Sequence, residues 1–213
     1  MVIRTARLLI RPLERADVDA IYALRPHTDP LLLRYNPPAE EAKADRDLWF
    51  ALRTGDPARR EFAILTAPGQ FIGRIGLREM DGQGCARLGI SLGADFVDRG
   101  YGTEALVGWL DWYFGEGGFT RLVLDVLTLN ARAIRVYDKL GFRRVGESYL
   151  EADQTTLTFL ADPSSAPVRK FFRRENDKVL VPFYEMELTS EIWQARNPFS
   201  GRERAPVNEM THG

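Results

Sequence analysis

Cysteine and histidine are nearly absent from this chain of 213 residues. Cys85 is the only cysteine, which excludes an intramolecular disulfide and favours a reducing compartment. A lone thiol on a predicted strand is more typical of packing than of a nucleophile. The two histidines, His27 and His212, lie in a proline-rich loop and beside the C-terminus, with no carboxylate cluster at ligand spacing. The sequence therefore predicts neither a metal site nor a histidine-based catalytic triad.

A strong net charge and long apolar runs are also missing. The net charge is −1 at pH 7, so the chain lacks the basic excess that attracts nucleic acid. No stretch is apolar enough to span a bilayer, and arginines at positions 4, 7 and 11 interrupt the N-terminal apolar run, unlike a signal peptide. We therefore expect a cytoplasmic protein that binds neither nucleic acid nor membranes. Its length and its 45% hydrophobic content predict a single domain with one sizeable core.

The central stretch of the chain combines a strand, a glycine loop and the start of a helix. Residues 88–92 alternate between apolar and small or polar types, which predicts a half-buried strand. The apolar residues of 106–114 recur at the spacing of one helix face. Between the two, Gly100 and Gly102 allow a sharp turn and a close approach to a ligand. The N–H groups of the first helical turn would favour a phosphate there, although a plain strand-to-helix turn is the alternative.

A second strand and helix follow the first pair. Residues 122–127 predict the strand, and Asn130 is a favourable N-cap for the helix. The apolar face of that helix consists of Ala133, Ile134, Tyr137 and Leu140. Gly141 is expected to end the helix in a left-handed conformation, with an apolar contact from Phe142.

Taken together, residues 99–106 (RGYGTEAL) and 130–142 (NARAIRVYDKLGF) resemble the GCN5-related N-acetyltransferases, the GNAT superfamily. Within it they look most like the branch that includes the acetyltransferases of ribosomal-protein N-termini. The resemblance covers residues 7–146. It implies an α/β (mixed α+β) GNAT fold, with a central, mostly antiparallel mixed sheet of about seven strands and helices on both faces. One departure is Val97, which stands where the family often has Gln or Arg and removes one side-chain contact.

The remaining elements are predicted in chain order. Before the glycine loop we expect a strand at 7–13, helices at 14–25 and 39–52, and strands at 62–66 and 71–79. After it we expect strands at 142–150 and 179–188, the latter beside the middle of the sheet, and an extra strand at 155–160. Residues 151–178 read as a family-divergent insertion within a single domain, 1–195, and residues 196–213 as a C-terminal tail.

The resemblance implies acetyl-CoA as the co-substrate and assigns it to particular residues. The backbone N–H of Leu92 is expected to polarise the acyl carbonyl, with Ile90 and Ser91 along the pantetheine arm. The pyrophosphate is expected on the N–H groups of Arg99, Gly100, Tyr101, Gly102 and Thr103. Asn130 and Tyr137 match helix positions that contact the cofactor in the family, and their spacing of two turns places both on one helix face.

The implied reaction transfers an acetyl group to a primary amine of a small molecule or a peptide N-terminus by direct attack in a ternary complex. The resemblance makes Tyr137 the predicted general acid, because its phenol can lie beside the sulfur and protonate the leaving thiolate. Ala133 stands where some ribosomal-protein acetyltransferases have a serine, which strengthens this prediction, and an aromatic core residue is the alternative. Glu151 and then Glu79 are the candidates for the general base, and proton loss through water is the alternative. Glu104 is expected to serve the helix N-terminus instead.

The acceptor and the oligomeric state stay open at this point. In the family, two early helices overhang the acceptor pocket, which makes Tyr35 and Trp49 candidates for substrate contact, with ordinary packing as the other interpretation. A homodimer is predicted to form through the last strand or through residues 151–178.

Two other functions also remain open. Residues 100–105 satisfy G-x-G-x-x-A, the signature of NAD(P)-binding oxidoreductases, and Asp125 lies on the following strand. The long loop before Gly100, the position of the motif in the middle of the chain and the place of Asp125 inside its strand count against that class. The second alternative is a non-catalytic acyl-CoA-binding module that senses the cofactor or docks a partner.

Overall fold

Alternating apolar residues build one mixed sheet with helices on both faces, in a computed structural model that describes residues 1–29, 32, 36 and 43–196. Its strands are β1 (Ile3–Arg4), β2 (Leu8–Pro12), β3 (Arg60–Thr66), β4 (Phe71–Arg78), β5 (Cys85–Leu92), β6 (Arg121–Leu127), β7 (Arg143–Glu151), β8 (Arg173–Glu175) and β9 (Lys178–Thr189). Its helices are α1 (Arg15–Ala23), α2 (Lys43–Gly55), α3 (Tyr101–Phe114), α4 (Ala131–Leu140), α5 (Gln154–Ala161) and α6 (Ser190–Arg196).

The strand order confirms the predicted sheet. The strands lie in the order β1-β2-β3-β4-β5-β6-β9-β7, with β8 paired to β9. Neighbours pair antiparallel except β5 and β6, which are parallel. Seven of these strands are the expected ones, and the short β1 and β8 are additions. The sheet is therefore mostly antiparallel, with one parallel pair at its centre.

The helices cover both faces of the sheet, and the side chains of β3 show which helices lie on each face. Phe62 and Ile64 point into the main core, which also contains the apolar stripes of α3 and α4. Ala63 and Leu65 point to the opposite face, where α1 and α2 cover them. Successive side chains of a strand alternate between faces, so one strand serves both layers. On the α3 side the fully buried Trp109 forms the centre of an aromatic cluster.

The segment after β7 differs from its prediction. Residues 155–160 form part of α5 and not a strand, because the Asp153 side chain caps the helix by accepting the Thr156 N–H at 2.8 Å. The predicted last strand is confirmed as β9, beside the middle of the sheet. It pairs with β6 on one side and β7 on the other, so it offers no long edge for a homodimer. Arg196, predicted as tail, ends α6, and the other tail residues lie outside the described part of the chain.

Candidate active site

The site forms where β5 and β6 separate. Their parallel pairing runs from Cys85 and Arg121 to Leu88 and Leu124 and then stops. Beyond that point β5 stays paired with β4 as far as Leu92, while β6 stays paired with β9 to its own end. The two central strands therefore diverge and leave a wedge between them. A wedge of this kind exposes strand backbone that a bound molecule can pair with.

The backbone N–H and C=O groups of successive β5 residues point to alternate sides of the strand, and those of Leu92 point into this wedge. The N–H of Gly93 donates to the Ile72 carbonyl at 2.9 Å and therefore points toward the β4 side. Neighbouring residues of a strand direct their polar groups to opposite sides, so those of Leu92 and Ile90 point the other way. The Leu92 carbonyl is indeed in contact with His27, whose Nε2 atom lies 3.0 Å from it.

A glycine on β4 permits this part of β5 to lie where it does. A Cβ atom on Gly73 would lie 2.2 Å from the Ser91 carbonyl oxygen and 2.9 Å from the Leu92 Cα. Both are backbone atoms, which cannot rotate away. Gly73 therefore determines the position of the β5 segment that borders the wedge.

The Gly73→Ala variant should unfold with a free energy about 3 kcal/mol lower than the parent chain, since the new methyl group must push β5 away from β4. Gly89→Ala is the matched control for stability, because its Cβ would meet nothing closer than 3.9 Å. Chemical denaturation of the two variants measures the difference. Equal stability of both would show that β4 and β5 do not approach as closely as described.

The glycine loop leads directly into α3. Gly100 is the N-cap residue of the helix and has a left-handed backbone with φ of 79°. The first helical hydrogen bond runs from the Glu104 N–H to the Gly100 carbonyl at 3.0 Å. The N–H groups of Tyr101, Gly102 and Thr103 precede that bond, so they are the unused donors of the first turn. Together with the helix dipole they make this loop suited to an anion.

Glu104 ties this loop to the N-terminal strands. It accepts hydrogen bonds from the Thr5 hydroxyl at 2.6 Å and the Arg7 N–H at 2.7 Å, and it pairs with the Arg7 guanidinium at 2.6 Å. Burial favours a higher pKa for Glu104, but these hydrogen bonds outweigh it and lower the pKa. Arg7 in turn donates to the Arg99 carbonyl at 3.2 Å and lies over the Tyr101 ring. The Arg7 guanidinium, from the segment between β1 and β2, is therefore held against the loop by its ion pair with Glu104.

The helix α4 forms the other wall of the wedge, as predicted. The Asn130 side chain caps it by accepting the Ala133 N–H at 3.1 Å, and Gly141 ends it with φ of 100°. Tyr137 is buried, and its ring packs against Phe142 with centroids 5.5 Å apart. The family-derived helix therefore begins and ends at its predicted residues.

A pocket of about 440 Å³ occupies the wedge. Most of the residues predicted to bind the cofactor line it, namely Ile90, Ser91, Leu92, Gly100, Gly102, Thr103, Asn130 and Tyr137. Arg99 and Tyr101 belong to the same loop but do not line the pocket. His27, Arg78, Asp125 and Arg132 line it as well, and the sequence did not single them out for this site.

The two predicted bases do not line this pocket. Glu79 follows β4 and pairs with Arg87 at 2.7 Å and Arg78 at 3.3 Å. The hydrogen bond from Arg87 lowers the pKa of Glu79, which makes this carboxylate a poorer proton acceptor. Glu151 ends β7 and pairs with Lys178 at 2.7 Å, with both side chains more than half exposed. The geometry therefore disfavours both residues as the general base.

The two predicted substrate contacts also lack support. Trp49 lies on α2, where its ring is covered by the guanidinium groups of Arg53 at 4.6 Å and Arg74 at 5.3 Å. It does not line the pocket, so its position agrees with the packing interpretation. Tyr35 lies outside the described residues.

Asp125 occupies a position unlike that of a ribose-binding carboxylate. It lies inside β6 and accepts from Arg87 at 2.8 Å and from Arg78 at 3.1 Å. Arg87 also reaches Glu185 on β9 at 3.3 Å. The carboxylate is thus engaged by two arginines where β5 and β6 begin to separate, at the narrow end of the wedge, which counts against the dinucleotide alternative.

His27 is one of the lining residues that the sequence did not single out. Its backbone is held by Asn36, which accepts the His27 N–H at 2.8 Å and donates to the His27 carbonyl at 3.0 Å. The only local signal was a single histidine in a proline-rich loop. Its approach to Leu92, 65 residues away, could not be read from the sequence.

The described residues give less support to a reactive thiol or to a metal site. Burial raises the pKa of the half-buried Cys85 thiol, in line with a packing role. Residues 1–29, 32, 36 and 43–196 contain no group of three or more His, Cys, Asp or Glu side chains placed to hold a metal ion. In the same ranges, every helix is too short or too polar to cross a membrane.

Comparison with known proteins agrees with this geometry. A family model described as an acetyltransferase (GNAT) domain matches residues 7–143. The chain is 29% identical over 146 residues to the uncharacterized N-acetyltransferase YnaD of Bacillus subtilis (strain 168), covering 68% of this chain and 85% of that protein. It therefore belongs to the GNAT family of acetyltransferases.

Solved structures share the fold. A spermidine N-acetyltransferase from Vibrio cholerae, in complex with CoA and spermine, matches with a TM-score of 0.64 and 19% identity, over 89% of this chain and 99% of that one. A GNAT-family acetyltransferase from Bacillus anthracis matches with a TM-score of 0.63 and 21% identity, over 90% and 99%. The particular likeness to the ribosomal-protein branch, the single domain 1–195 and the insertion at 151–178 stay predictions.

Proposed function

We propose that this chain is an acetyl-CoA-dependent N-acetyltransferase that acts on a primary amine. The observation that carries this proposal is the wedge between β5 and β6, which opens next to the N-terminus of α3 and the buried Tyr137. A long, partly peptide-like molecule with a phosphorylated end fits this combination. Strand backbone borders one part of the pocket, and an anion-binding turn borders another.

The chain's own groups would hold acetyl-CoA, which supplies an acetyl thioester. The backbone of Ile90, Ser91 and Leu92 would pair with the pantetheine arm, and the Leu92 N–H would polarise the acyl carbonyl. The N–H groups from Arg99 to Thr103 would hold the pyrophosphate, with the Arg7 guanidinium adding positive charge beside them.

The transfer would proceed by direct attack of the amine on the thioester carbon. Tyr137 would donate the proton that the departing thiolate receives, because it is the tyrosine that lines the pocket among the described residues. Asn130 lies two helical turns earlier on the same face and would contact the same molecule.

The acceptor is proposed to be a small-molecule amine or a peptide N-terminus. Several of the matching structures are described as spermidine or spermidine/spermine N-acetyltransferases, which makes a polyamine one member of this class to test first. The family resemblance adds ribosomal-protein N-termini as a second. A cytoplasmic location and a homodimer belong to the same proposal.

Acetyl-CoA at about one hundred times its dissociation constant should stabilise the chain by roughly 2.7 kcal/mol, because it binds the folded state only. Thermal unfolding with acetyl-CoA, NAD or NADP at equal concentration measures this effect. Stabilisation by acetyl-CoA alone would support the proposal. Stabilisation by NAD or NADP alone would contradict it and favour the oxidoreductase alternative.

A further inference from the structure

The pocket has a proton donor in Tyr137 but neither of the predicted bases. Its other acidic side chains are engaged, since Asp98 pairs with Arg132 at 3.1 Å and Asp125 pairs with two arginines. The oxygens of both carboxylates are therefore already occupied by guanidinium donors. The remaining basic group among the described lining residues is the imidazole of His27. We propose that His27 accepts the proton that the attacking amine loses, an inference that rests on the proposed acetyl transfer.

The contact with Leu92 determines which ring nitrogen can take up this proton. The His27 Nε2 atom lies 3.0 Å from the Leu92 carbonyl oxygen, and a carbonyl oxygen can only accept a hydrogen bond. Nε2 therefore carries the hydrogen. In the neutral ring the lone pair is then on Nδ1, which is the nitrogen able to accept a proton.

The same contact places the imidazole beside the reacting groups. Leu92 is the residue whose N–H is assigned to the acyl carbonyl, and its own carbonyl holds His27. The ring is thus attached to the end of β5 where the acyl group is expected. Asn36 makes two hydrogen bonds to the His27 backbone, so the backbone that carries the ring is held as well. A base needs this kind of fixed position within reach of the proton it removes.

The proposed step balances in protons. The amine enters neutral, and its nitrogen forms a bond to the thioester carbon while one N–H proton passes to Nδ1 of His27. The carbon–sulfur bond breaks, and the sulfur takes the Tyr137 hydroxyl proton. His27 is left as an imidazolium and Tyr137 as a phenolate, and proton exchange with water restores both. The nitrogen becomes acidic as the new bond forms, which is why an imidazole is a strong enough base.

Several charged groups surround the ring and enter any pH dependence. Those that line the same pocket or flank the His27 loop are Arg25, Asp29, Arg78, Asp95, Asp98, Asp125 and Arg132. Arg25 pairs with Asp95 at 2.6 Å, beside the loop. Arg78 also pairs with Asp125, and Arg132 pairs with Asp98, so six of these groups are paired with a group of opposite charge. An imidazolium cannot accept a further proton, so the proposed step needs the neutral ring.

His27→Gln separates a chemical role from a structural one. The glutamine amide can still donate to the Leu92 carbonyl, but it has no basic nitrogen. We expect kcat to fall about a hundredfold with the KM for acetyl-CoA unchanged. The assay follows thiol release from acetyl-CoA with spermidine and, separately, with a short peptide that has a free N-terminus. A His27→Gln variant as active as the parent, or one that loses acetyl-CoA affinity in proportion to its activity, would overturn the inference.

The two histidines of the chain allow a second test without turnover. Imidazole NMR should give two sets of signals, and His27→Gln identifies that of His27 by its loss. A neutral ring protonated at Nε2 is expected, whereas protonation at Nδ1 would overturn the inference. A parent chain that binds acetyl-CoA but acetylates neither acceptor contradicts the proposed function and the inference with it. An active parent with an unaffected His27→Gln variant contradicts the inference alone.

Discussion

The Tyr137→Phe variant should bind acetyl-CoA as well as the parent chain and turn over about a thousandfold more slowly. Phenylalanine retains the ring that packs against Phe142, so the fold and the pocket wall are preserved. Only the hydroxyl is lost, and with it the proton for the departing thiolate. Steady-state thiol release gives kcat, and thermal unfolding with acetyl-CoA shows whether binding is retained.

Tyr184→Phe is the matched control for this variant. Tyr184 lies on β9, is partly buried and does not line the pocket, and its ring keeps the contact with Arg144 after the change. Its kcat should equal that of the parent. Equal activity of Tyr137→Phe and Tyr184→Phe would contradict the assignment of the general acid. A parent chain that binds acetyl-CoA but turns over no amine would favour the non-catalytic acyl-CoA-binding module.

Glu61→Gln should lower the free energy of unfolding by about 3 kcal/mol. The Glu61 side chain is 1% exposed and accepts from Arg53 on α2 and Arg74 on β4, each at 2.9 Å. Burial lowers the pKa of Arg74, and the nearby positive charge of Arg53 lowers it further, whereas Glu61 raises it. The amide leaves two guanidinium groups close together without their shared carboxylate. The expected loss of stability is at the low end of the range for breaking a buried ion pair, because both arginines are partly exposed.

Chemical denaturation of Glu61→Gln checks this value, with Glu175→Gln as the control. Glu175 forms an ion pair with Arg173 at 3.2 Å in which both side chains are about half exposed. Removal of that charge should change stability by about 0.5 kcal/mol or less. A Glu61→Gln variant as stable as Glu175→Gln would show that the buried group does not hold α2 to the sheet.

Local sequence signals were sufficient to predict the strand, loop and helix around Gly100 and Gly102, and also α4. Gly100 adopts its left-handed conformation and Asn130 caps α4 because both depend on residues only a few positions away. The error at α5 was also local. The threonines of 155–160 favour a strand by propensity, but the Asp153 side chain caps this segment and stabilises it as a helix.

The two candidate bases do not line the pocket, and the reason for this is not local. Glu79 and Glu151 stand at the ends of strands, where a sequence pattern allows a catalytic carboxylate. Their partners Arg87 and Lys178 come from other strands, and an ion pair between strands leaves no trace in a local pattern. The structure keeps both carboxylates away from the pocket lining.

The sequence by itself determined the family, the glycine loop before α3 and the helix that carries Tyr137, because glycine conformation, capping and apolar periodicity act over a few residues. Only the tertiary structure decided what surrounds them. It brought His27 to Leu92 across 65 residues and Arg7 to Glu104 across 97. Side-chain contacts at such separations depend on how the strands and loops are arranged in space. The side chains gathered around the pocket are therefore a property of the fold, whereas the backbone predicted to bind the cofactor is a property of short segments.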